Sequence, residues 1–475
     1  MKTKVSQFLL DNKAVLKQIV DVLSKEFKYV SILGVDTVSN IYAVNCTTTS
    51  VADADLTEKG FVVRVFNSIN YSEYSFDQLN NPDDVVESVR EIAYKDVALL
   101  NSCNVDLIEF PVIEEDVLVD SFNSEVEIDP FTISTDEKIK KLVELKDEGF
   151  SLNKSFIDFR VSFQETLISK IFVSSKKDLE QSILFTTMSA VGIGRNDQGI
   201  KYDFKSASGL KGYEIFDEIK SGLQEISDNV NDLFKAERVV PGSYEIICDP
   251  DVSGLIAHEA FGHGVEMDMF VKNRAKGAEY INKEIASLKT NMRDGAQSAV
   301  EVGTYLFDDE GTLGTDTVVI DNGILVNGIS DVLSAFKLGT TPTGNGRRES
   351  FERKAYARMT NTFFDKGEET VEDMIKATKK GYFLEGYFSG MEDPKNWGIQ
   401  CVLAKGREII DGQFTGKIIS PVTLTGYVPD LLQAISMVSK DDVCLTGSGA
   451  CGKGHKEWVK VSCGGTHIKT IGRLS

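Results

Sequence analysis

Several features that would point to common protein classes are scarce or missing in this chain of 475 residues. No stretch approaches the roughly 18 uninterrupted apolar residues of a membrane span. Residues 1–28 mix charged and apolar side chains, so they lack the apolar core of a signal peptide. The seven cysteines are odd in number and scattered, which argues against a disulfide framework. These absences predict a soluble cytoplasmic protein with reduced thiols.

Positive charge is also in short supply. There are 52 Lys and Arg against 73 Asp and Glu, giving a formal net charge of −21. Such a surface repels nucleic-acid phosphates and anionic membranes. We therefore expect no direct nucleic-acid partner and no membrane partner. The hydrophobic content of 41% is nevertheless sufficient to build extended cores.

The order of helical and strand-like patterns predicts an α+β fold rather than a doubly wound one. Helical spacing covers residues 4–28, 82–102 and 135–148, and alternating apolar runs fill 29–74 and 155–205. A long helix is expected over 213–236. We predict an N-terminal α+β domain, residues 1–236, with an acidic connection at 104–133 that is a candidate break between two lobes.

The second half, residues 237–475, is predicted to be a β-rich domain that carries a metal-site helix. Asp249 can cap a helix over 249–266, and Pro250 suits its first position. From residue 300 onward the pattern is mostly that of strands, with a hairpin turn at Asn322-Gly323.

Two of only four histidines lie in that helix, at His258 and His263, with Glu259 beside the first. Imidazoles are good ligands for Zn²⁺, and an adjacent carboxylate can take a proton from water as a general base. The second histidine is five positions after the first, about 140° around a regular helix. Both rings can therefore face one ion only if the helix is irregular, for example through a π-bulge or an early end. The alternative is a buried helix with two satisfied core histidines.

A catalytic zinc usually has three protein ligands, so a third is needed from elsewhere in the chain. The residues alone leave Cys451 and Cys463 open, because both stand beside glycines; Cys444, His455 and His467 are further candidates. Glu266 and Asp268 could orient the imidazoles as acceptors, or could simply be solvated at the helix end.

Three arginines could bind a peptide carboxylate or steady an oxyanion, or could form structural salt bridges in this acidic protein. They are Arg347, Arg348 and Arg358. The run from Arg358 through Thr360 and Asn361 to Thr362 is a candidate sheet edge that could receive an extended peptide as an added strand.

The segment His258–Asp268 resembles the signature of the TldD/PmbA family, once called modulators of DNA gyrase and now regarded as metalloproteases. The resemblance continues through Thr343–Ser350, Arg358–Thr362 and Gly449–Gly454. It is clear from about residue 241 to 453 and weak before that. After Lys453 the chain departs from the family pattern, which puts the walls of the substrate site in question and leaves His455 open as a ligand.

The resemblance implies that His258, His263 and Cys451 hold zinc and that Glu259 is catalytic. It implies a metalloprotease, with the intact motif typical of the active branch. Binding of a substrate as an added strand at a sheet edge requires an extended segment, so we expect unstructured peptides or unfolded proteins as substrates. It also implies a two-chain particle, either a homodimer or a heterodimer with a paralogue that lacks the motif. Two other functions remain as alternatives: a non-catalytic stabilising subunit, and a zinc hydrolase of non-peptide amides.

Overall fold

The computed structural model describes residues 1–103, 109–453 and 456–475. In the described part of the first half, the helices are α1 (Gln7–Leu23), α2 (Pro82–Ser102), α3 (Thr135–Ser151), α4 (Ile215–Ser221) and α5 (Leu223–Lys235). The strands are β1 (Val30–Val44), β2 (Thr49–Asp53), β3 (Glu58–Phe66), β4 (Tyr71–Phe76), β5 (Leu118–Asn123), β6 (Phe156–Ser174), β7 (Lys177–Asn196) and β8 (Gly199–Gly209).

Local sequence signals place the starts of the longer helices. The side chain of Asn81 accepts a hydrogen bond from the Asp83 N–H, and Pro82 occupies the first turn of α2. The Ser134 hydroxyl accepts from the Glu137 N–H, 3.2 Å away, at the start of α3. The single helix expected over 213–236 is divided into α4 and α5 at Gly222.

The strands of the first half form one eight-stranded sheet in the order β4-β3-β1-β6-β7-β5, with β2 beside β1 and β8 beside β7. Strands from both sides of residues 104–133 pair within this sheet, β1 with β6 among them. A shared sheet thus joins the two sides of this connection, and the break into two lobes stays a prediction. The acidic connection itself contains β5, which pairs with β7 in parallel; residues 104–108 of the connection lie outside the described residues.

The two faces of this sheet are covered by different parts of the chain. Ile32 and Ile171 share a buried cluster with α1 and α2. The neighbouring Leu33 and Phe172 cluster with Phe307 of the second half instead. Because side chains alternate along a strand, one face is covered by helices of the first half and the other by the second half.

Charged pairs reinforce the contact between the halves. Arg64 pairs with Glu310, Arg348 with Glu73, and Lys170 with Asp309. All of these side chains except Lys170 and Glu73 belong to residues that are at least nine-tenths buried. Removing one partner of a buried pair typically costs about 3–5 kcal/mol, so these pairs fix the relative position of the halves.

In the described part of the second half, the helices are α6 (Pro250–Leu255), α7 (Met267–Val271), α8 (Val332–Leu338), α9 (Val371–Lys376) and α10 (Val428–Gln433). The strands are β9 (Gly242–Cys248), β10 (Lys283–Glu284), β11 (Met292–Asp294), β12 (Thr317–Asp321), β13 (Ile324–Leu325), β14 (Gly346–Arg347), β15 (Tyr356–Ala357), β16 (Asn361–Phe364), β17 (Lys380–Asp393), β18 (Gly398–Ile410), β19 (Gln413–Ile419), β20 (Val422–Tyr427), β21 (Met437–Val438), β22 (Cys444–Thr446), β23 (Ala450–Lys453), β24 (Lys456–Lys460), β25 (Ser462–Gly465) and β26 (Ile468–Leu474).

One sheet of the second half closes on itself. Its order is β17-β9-β26-β20-β18-β19, and β17 also pairs with β18. Strands β17, β9, β26, β20 and β18 thus form a closed ring, which removes free edges between them. A second sheet has the order β10-β13-β12-β11-β16-β25-β22. One large hydrophobic cluster joins both sheets to the helix that begins at Pro250.

The predicted α+β fold class is confirmed by this mixture of helices and largely antiparallel sheets. The hairpin at Asn322-Gly323 is confirmed too. It joins β12 to β13, and both turn residues have positive φ, as a type I′ turn requires. No helix in the described residues is long and apolar enough to cross a membrane.

The domain boundary near residue 237 stays a prediction. The segment between α5 and β9 is short, and its Val240 side chain is exposed. Limited proteolysis should therefore cut first near residues 237–243 and leave two stable fragments, identified by mass spectrometry. A first stable cut well inside 300–440 would contradict the boundary.

Candidate metal centre

The helix of the metal centre begins as the sequence predicts. One Asp249 carboxylate oxygen accepts a hydrogen bond from the Val252 N–H at 2.8 Å. The other oxygen accepts from the Gly386 N–H of β17 at 2.9 Å. The same side chain therefore caps α6 and fixes the start of the helix against the barrel.

The predicted irregularity of this helix is confirmed. Residues Ile256–Gly262 form a π-helix, and a 3₁₀ turn follows at His263–Val265. The His263 N–H donates to the His258 carbonyl, which is the i→i+5 bond of a π-helix. This bond brings His263 next to His258 on the helix surface, and the two ring centroids lie 5.3 Å apart at an interplanar angle of 82°.

The glycines around His263 serve close packing rather than an unusual backbone. Neither Gly262 nor Gly264 has positive φ. A Cβ at Gly262 would lie 2.1 Å from the Met359 sulfur, and one at Gly264 would lie 2.6 Å from the Trp397 indole nitrogen. Hydrogen at these positions lets the π-helix sit directly against its neighbours.

The third side chain of the cluster is Cys451, on β23. Its Sγ lies 3.4 Å from His263 Nε2, and the ligand atoms of Cys451, His258 and His263 all lie within 4.8 Å of one another. Ligands bonded to a tetrahedral Zn²⁺ at about 2.0 and 2.3 Å are roughly 3.5 Å apart. Two imidazoles and a thiolate at these separations fit Zn²⁺ by both chemistry and spacing.

The electrostatics favour the ligand form of the cysteine. Burial raises the pKa of the Cys451 thiol, but the charges and hydrogen bonds of His258 and His263 outweigh it and hold that pKa well below its usual range. A thiolate is the form of cysteine that binds metal.

Glu266 joins the cluster to buried cations. Its Oε2 lies 3.3 Å from His263 Nδ1 and 3.1 Å from Lys453 Nζ, and its Oε1 accepts from Arg358 Nε at 3.1 Å. Because Glu266 binds Nδ1 of His263, the ring is held with its Nε2 facing Cys451. Arg358, fully buried, also donates to the Cys451 Sγ at 3.0 Å. These contacts fix both an imidazole and the thiolate.

Glu266 and Asp268 were both expected to orient imidazoles. Among the described contacts, only Glu266 bonds to an imidazole, that of His263. Asp268 bonds Lys453 at 2.8 Å and Lys272 at 2.8 Å. It therefore acts on the centre only through Lys453, which pairs with both carboxylates.

We expect Glu266→Gln to weaken zinc binding by about 10–100-fold, because the acceptor that polarises His263 loses its charge. Competition against a chromophoric chelator measures the affinity. Asp268→Asn is the matched control and should change it little. Equal effects of the two substitutions would contradict the assigned role, and thermal melting of both variants checks that they fold.

Glu259 is the most open side chain of the centre. Its side chain is 22% exposed, against 7% for His258 and 13% for His263. Its Oε1 lies 3.9 Å from His258 Nε2, beside the ligand cluster without belonging to it. A Cβ at Gly390 of β17 would lie 2.6 Å from the Glu259 Cγ, so the missing side chain makes room for this carboxylate.

Sequence reasoning missed a second acidic side chain here, Glu392. Its two carboxyl oxygens are buried and have no hydrogen-bond partner among the described residues. Burial raises the pKa of the Glu392 carboxyl well above its usual range. The only sequence signal for this position is that Glu392 follows Gly390 by two residues on β17. Residues two apart on a strand face the same side, which here is the side of Glu259.

The substrate-binding assignments need correction. Thr360 and Asn361 are fully buried; Thr360 binds Asp294, and Asn361 accepts from the Ser462 hydroxyl. The run that contains them is not a sheet edge, because β16 lies between β11 and β25. Direct contact with a peptide is excluded by this burial.

The arginines are engaged as well. Arg358 binds Glu266 and Cys451, and Arg348 pairs with Glu73 across the halves. Arg347 donates to the backbone carbonyls of Met359 and Lys460 at 2.7 and 2.6 Å. All three therefore have structural contacts, as in the salt-bridge alternative, and their binding of a peptide stays a prediction.

The other candidate ligands lie outside the cluster as far as the chain is described. The buried Cys463 has the Tyr387 hydroxyl 3.9 Å from its sulfur, and burial raises its pKa to about 12. Cys444 is exposed, and His467 lies beside Asp441. His455 lies outside the described residues.

A cavity of about 580 Å³ opens away from the metal centre. None of His258, Glu259, His263 and Cys451 lines this cavity. Its lining residues are Arg293, Ser298, Ala299, Val300, Glu301, Asp316, Phe363, Asp365, Lys366, Asp442, Val443 and Leu445.

Comparison with known proteins agrees with this geometry. Residues 241–466 match the PmbA/TldA metallopeptidase C-terminal domain. A zinc metalloprotease TldD homolog of Saccharolobus solfataricus is 28% identical over 344 residues, covering 70% of this chain and 74% of the relative. The chain belongs to the PmbA/TldD family.

Further relatives extend the match. A metalloprotease of Methanocaldococcus jannaschii is 28% identical over 383 residues, which are 80% of this chain and 77% of the relative. Among solved structures, TldE from Thermococcus kodakarensis superposes with a TM-score of 0.72 at 18% identity, covering 97% of this chain and 99% of that one. The last comparison shows that the PmbA/TldD fold extends over both halves.

Proposed function

We propose that this member of the PmbA/TldD family is a zinc-dependent peptidase of unstructured peptides or unfolded proteins. The observation that carries the proposal is the convergence of His258, His263 and Cys451, with Glu259 beside them and open to solvent. A non-catalytic subunit would have no use for this set of side chains.

The proposed chemistry divides between metal and protein. His258, His263 and Cys451 would hold Zn²⁺, which when bound polarises water and the scissile carbonyl. Glu259 takes a proton from the attacking water and passes it to the departing amine nitrogen. Glu266 and Arg358 hold His263 and Cys451 in place during these transfers.

The recessed position of the centre supports the substrate class. Cys451 and His258 are only 4% and 6% exposed, and the more open side chain of Glu259 extends from the π-helix to β17. A folded domain cannot bring its backbone into such a recess without local unfolding. An extended segment can.

One destabilised protein tests this substrate class. The wild-type enzyme is given a small domain in its folded form, a mutant of it that is unfolded, and a short unstructured peptide as control. We expect the folded form to be cleaved about a hundredfold more slowly or worse, since stable domains are rarely open. Equal rates would contradict the proposal, and activity unaffected by removal of bound zinc would contradict the zinc chemistry.

Assembly and location complete the proposal. The TldD-type resemblance and the TldE-like fold support a two-chain particle, either a homodimer or a heterodimer with a motif-lacking paralogue. All seven cysteines are free thiols, which supports the reducing cytoplasm. Mass spectrometry of the subunits in the particle purified from its native cell distinguishes the two assemblies.

A further inference from the structure

An exposed apolar surface lies where the first half of the chain meets β17. Along β8, Ile200, Tyr202 and Phe204 project on one face with exposures of 55%, 45% and 37%. The Phe388 ring of β17 lies 5.1 Å from the Tyr202 ring and 6.3 Å from the Phe204 ring, between centroids. We call these four side chains the apolar ledge.

A β-bulge brings Phe388 to this position. In the pairing of β17 with β18, Tyr387 is opposite Leu403 and Ser389 is opposite Val402, so Phe388 has no partner. A bulge adds one residue to a strand and re-aims a side chain, often beside an active site. The irregular register therefore explains how a barrel residue reaches the aromatic rings of β8.

The apolar ledge shares strand β17 with the open side of the metal centre. Gly390, two residues after Phe388, is the position where a Cβ would lie 2.6 Å from the Glu259 Cγ. Tyr387, just before Phe388, has its hydroxyl 3.9 Å from the Cys463 sulfur. The same short stretch of β17 therefore borders both the catalytic carboxylate and the apolar ledge.

We propose that the apolar ledge is a specificity subsite, which binds an aromatic or large aliphatic side chain of an extended peptide held at the metal centre. The inference rests on the proposed peptidase function. Contiguous exposed apolar side chains mark interaction sites. Aromatic rings here can stack with a peptide side chain and remove its apolar surface from water. The occupant is the substrate rather than a second chain, because the ledge continues directly into the strand that contacts Glu259.

Binding to a catalytically silent enzyme tests the subsite without requiring hydrolysis. All proteins carry Glu259→Gln. The probes are short unstructured peptides, one series with a single phenylalanine moved along a polar sequence and one with serine in its place. Phe388→Ala and Tyr202→Ala should each weaken binding of the best phenylalanine peptide about tenfold. Binding of the serine peptide should stay unchanged, since the lost contact is the one between the side chain of the ledge and the phenylalanine of the peptide.

Tyr94→Ala is the matched control, because Tyr94 is an exposed aromatic on α2, outside the ledge. It should not alter either affinity. In enzyme that retains Glu259, Phe388→Ala should raise KM for the phenylalanine peptide and leave kcat/KM for the serine peptide as it was. Thermal melting confirms that each variant is folded.

Two outcomes would overturn the subsite. One is the same affinity change for phenylalanine and serine peptides, or no change for either. The other is dissociation of the oligomer by Phe388→Ala or Tyr202→Ala, seen in sedimentation, with no selective loss of peptide; the ledge would then belong to a chain–chain interface. Failure of the wild-type enzyme to cleave any peptide would instead contradict the proposed function, and the binding data would still decide on the subsite.

Discussion

Glu259→Gln should retain zinc at the wild-type stoichiometry and lose about 10²–10⁴-fold in kcat/KM. The carboxylate is placed to move protons and lies outside the ligand cluster, so its loss removes general-base catalysis and leaves the metal in place. Elemental analysis of the dialysed protein gives the stoichiometry, and cleavage of an unstructured peptide gives the rate.

Glu284→Gln, an exposed glutamate on β10, serves as the control and should behave as the wild type. A Glu259→Gln protein that has lost its zinc would show that Glu259 is a ligand, and the assigned division between binding and chemistry would be wrong. If the variant keeps both zinc and full activity, a residue other than Glu259 must be the general base.

Cys451→Ala should release the metal, with an affinity loss of more than about a hundredfold, because a ligand contributes more than the neighbours that orient it. Activity should fall with occupancy. Cys463→Ala and Cys444→Ala should keep zinc, since neither thiol belongs to the cluster. Chelator competition measures all three affinities on proteins whose folding has been checked by circular dichroism.

The same thiolate should make the enzyme sensitive to oxidation. Peroxide is expected to inactivate the wild type and release zinc in step, because an oxidised cysteine no longer binds the metal. If Cys451→Ala keeps its full zinc content, the third ligand must be another side chain, and Cys463 and His455 are the next candidates to test.

The sequence predicts well those features that depend on neighbouring residues. The bounds predicted for α2 follow from the spacing of its apolar side chains, and they match the structure. The five-residue spacing of His258 and His263 predicts an irregular helix if both rings face one ion, and the structure shows a π-helix, one of the two irregularities expected. The hairpin turn at Asn322-Gly323 is specified in the same local way.

Features that depend on distant residues could not be predicted in this way. Arg358 was expected to meet a peptide, yet it binds a thiolate 93 residues later in the chain. The residues next to Arg358 in the sequence do not indicate that partner. Likewise, closure of the barrel depends on β17 pairing with both β9 and β18, and the aromatic contact of Phe388 depends on a bulge in that pairing. The apolar periodicity of a single strand does not determine which distant strand it pairs with or in which register.

The closed barrel has a consequence for the order of events during synthesis. Strand β9, which leads into the metal-site helix, pairs with β26 at residues 468–474. Cys451 is also 188 residues beyond His263. A chain that has been synthesised only as far as His263 therefore carries both histidines but neither Cys451 nor strand β26 of the ring. The metal centre and the closed ring can therefore assemble only after the ribosome has passed β26, long after the two histidines have been synthesised.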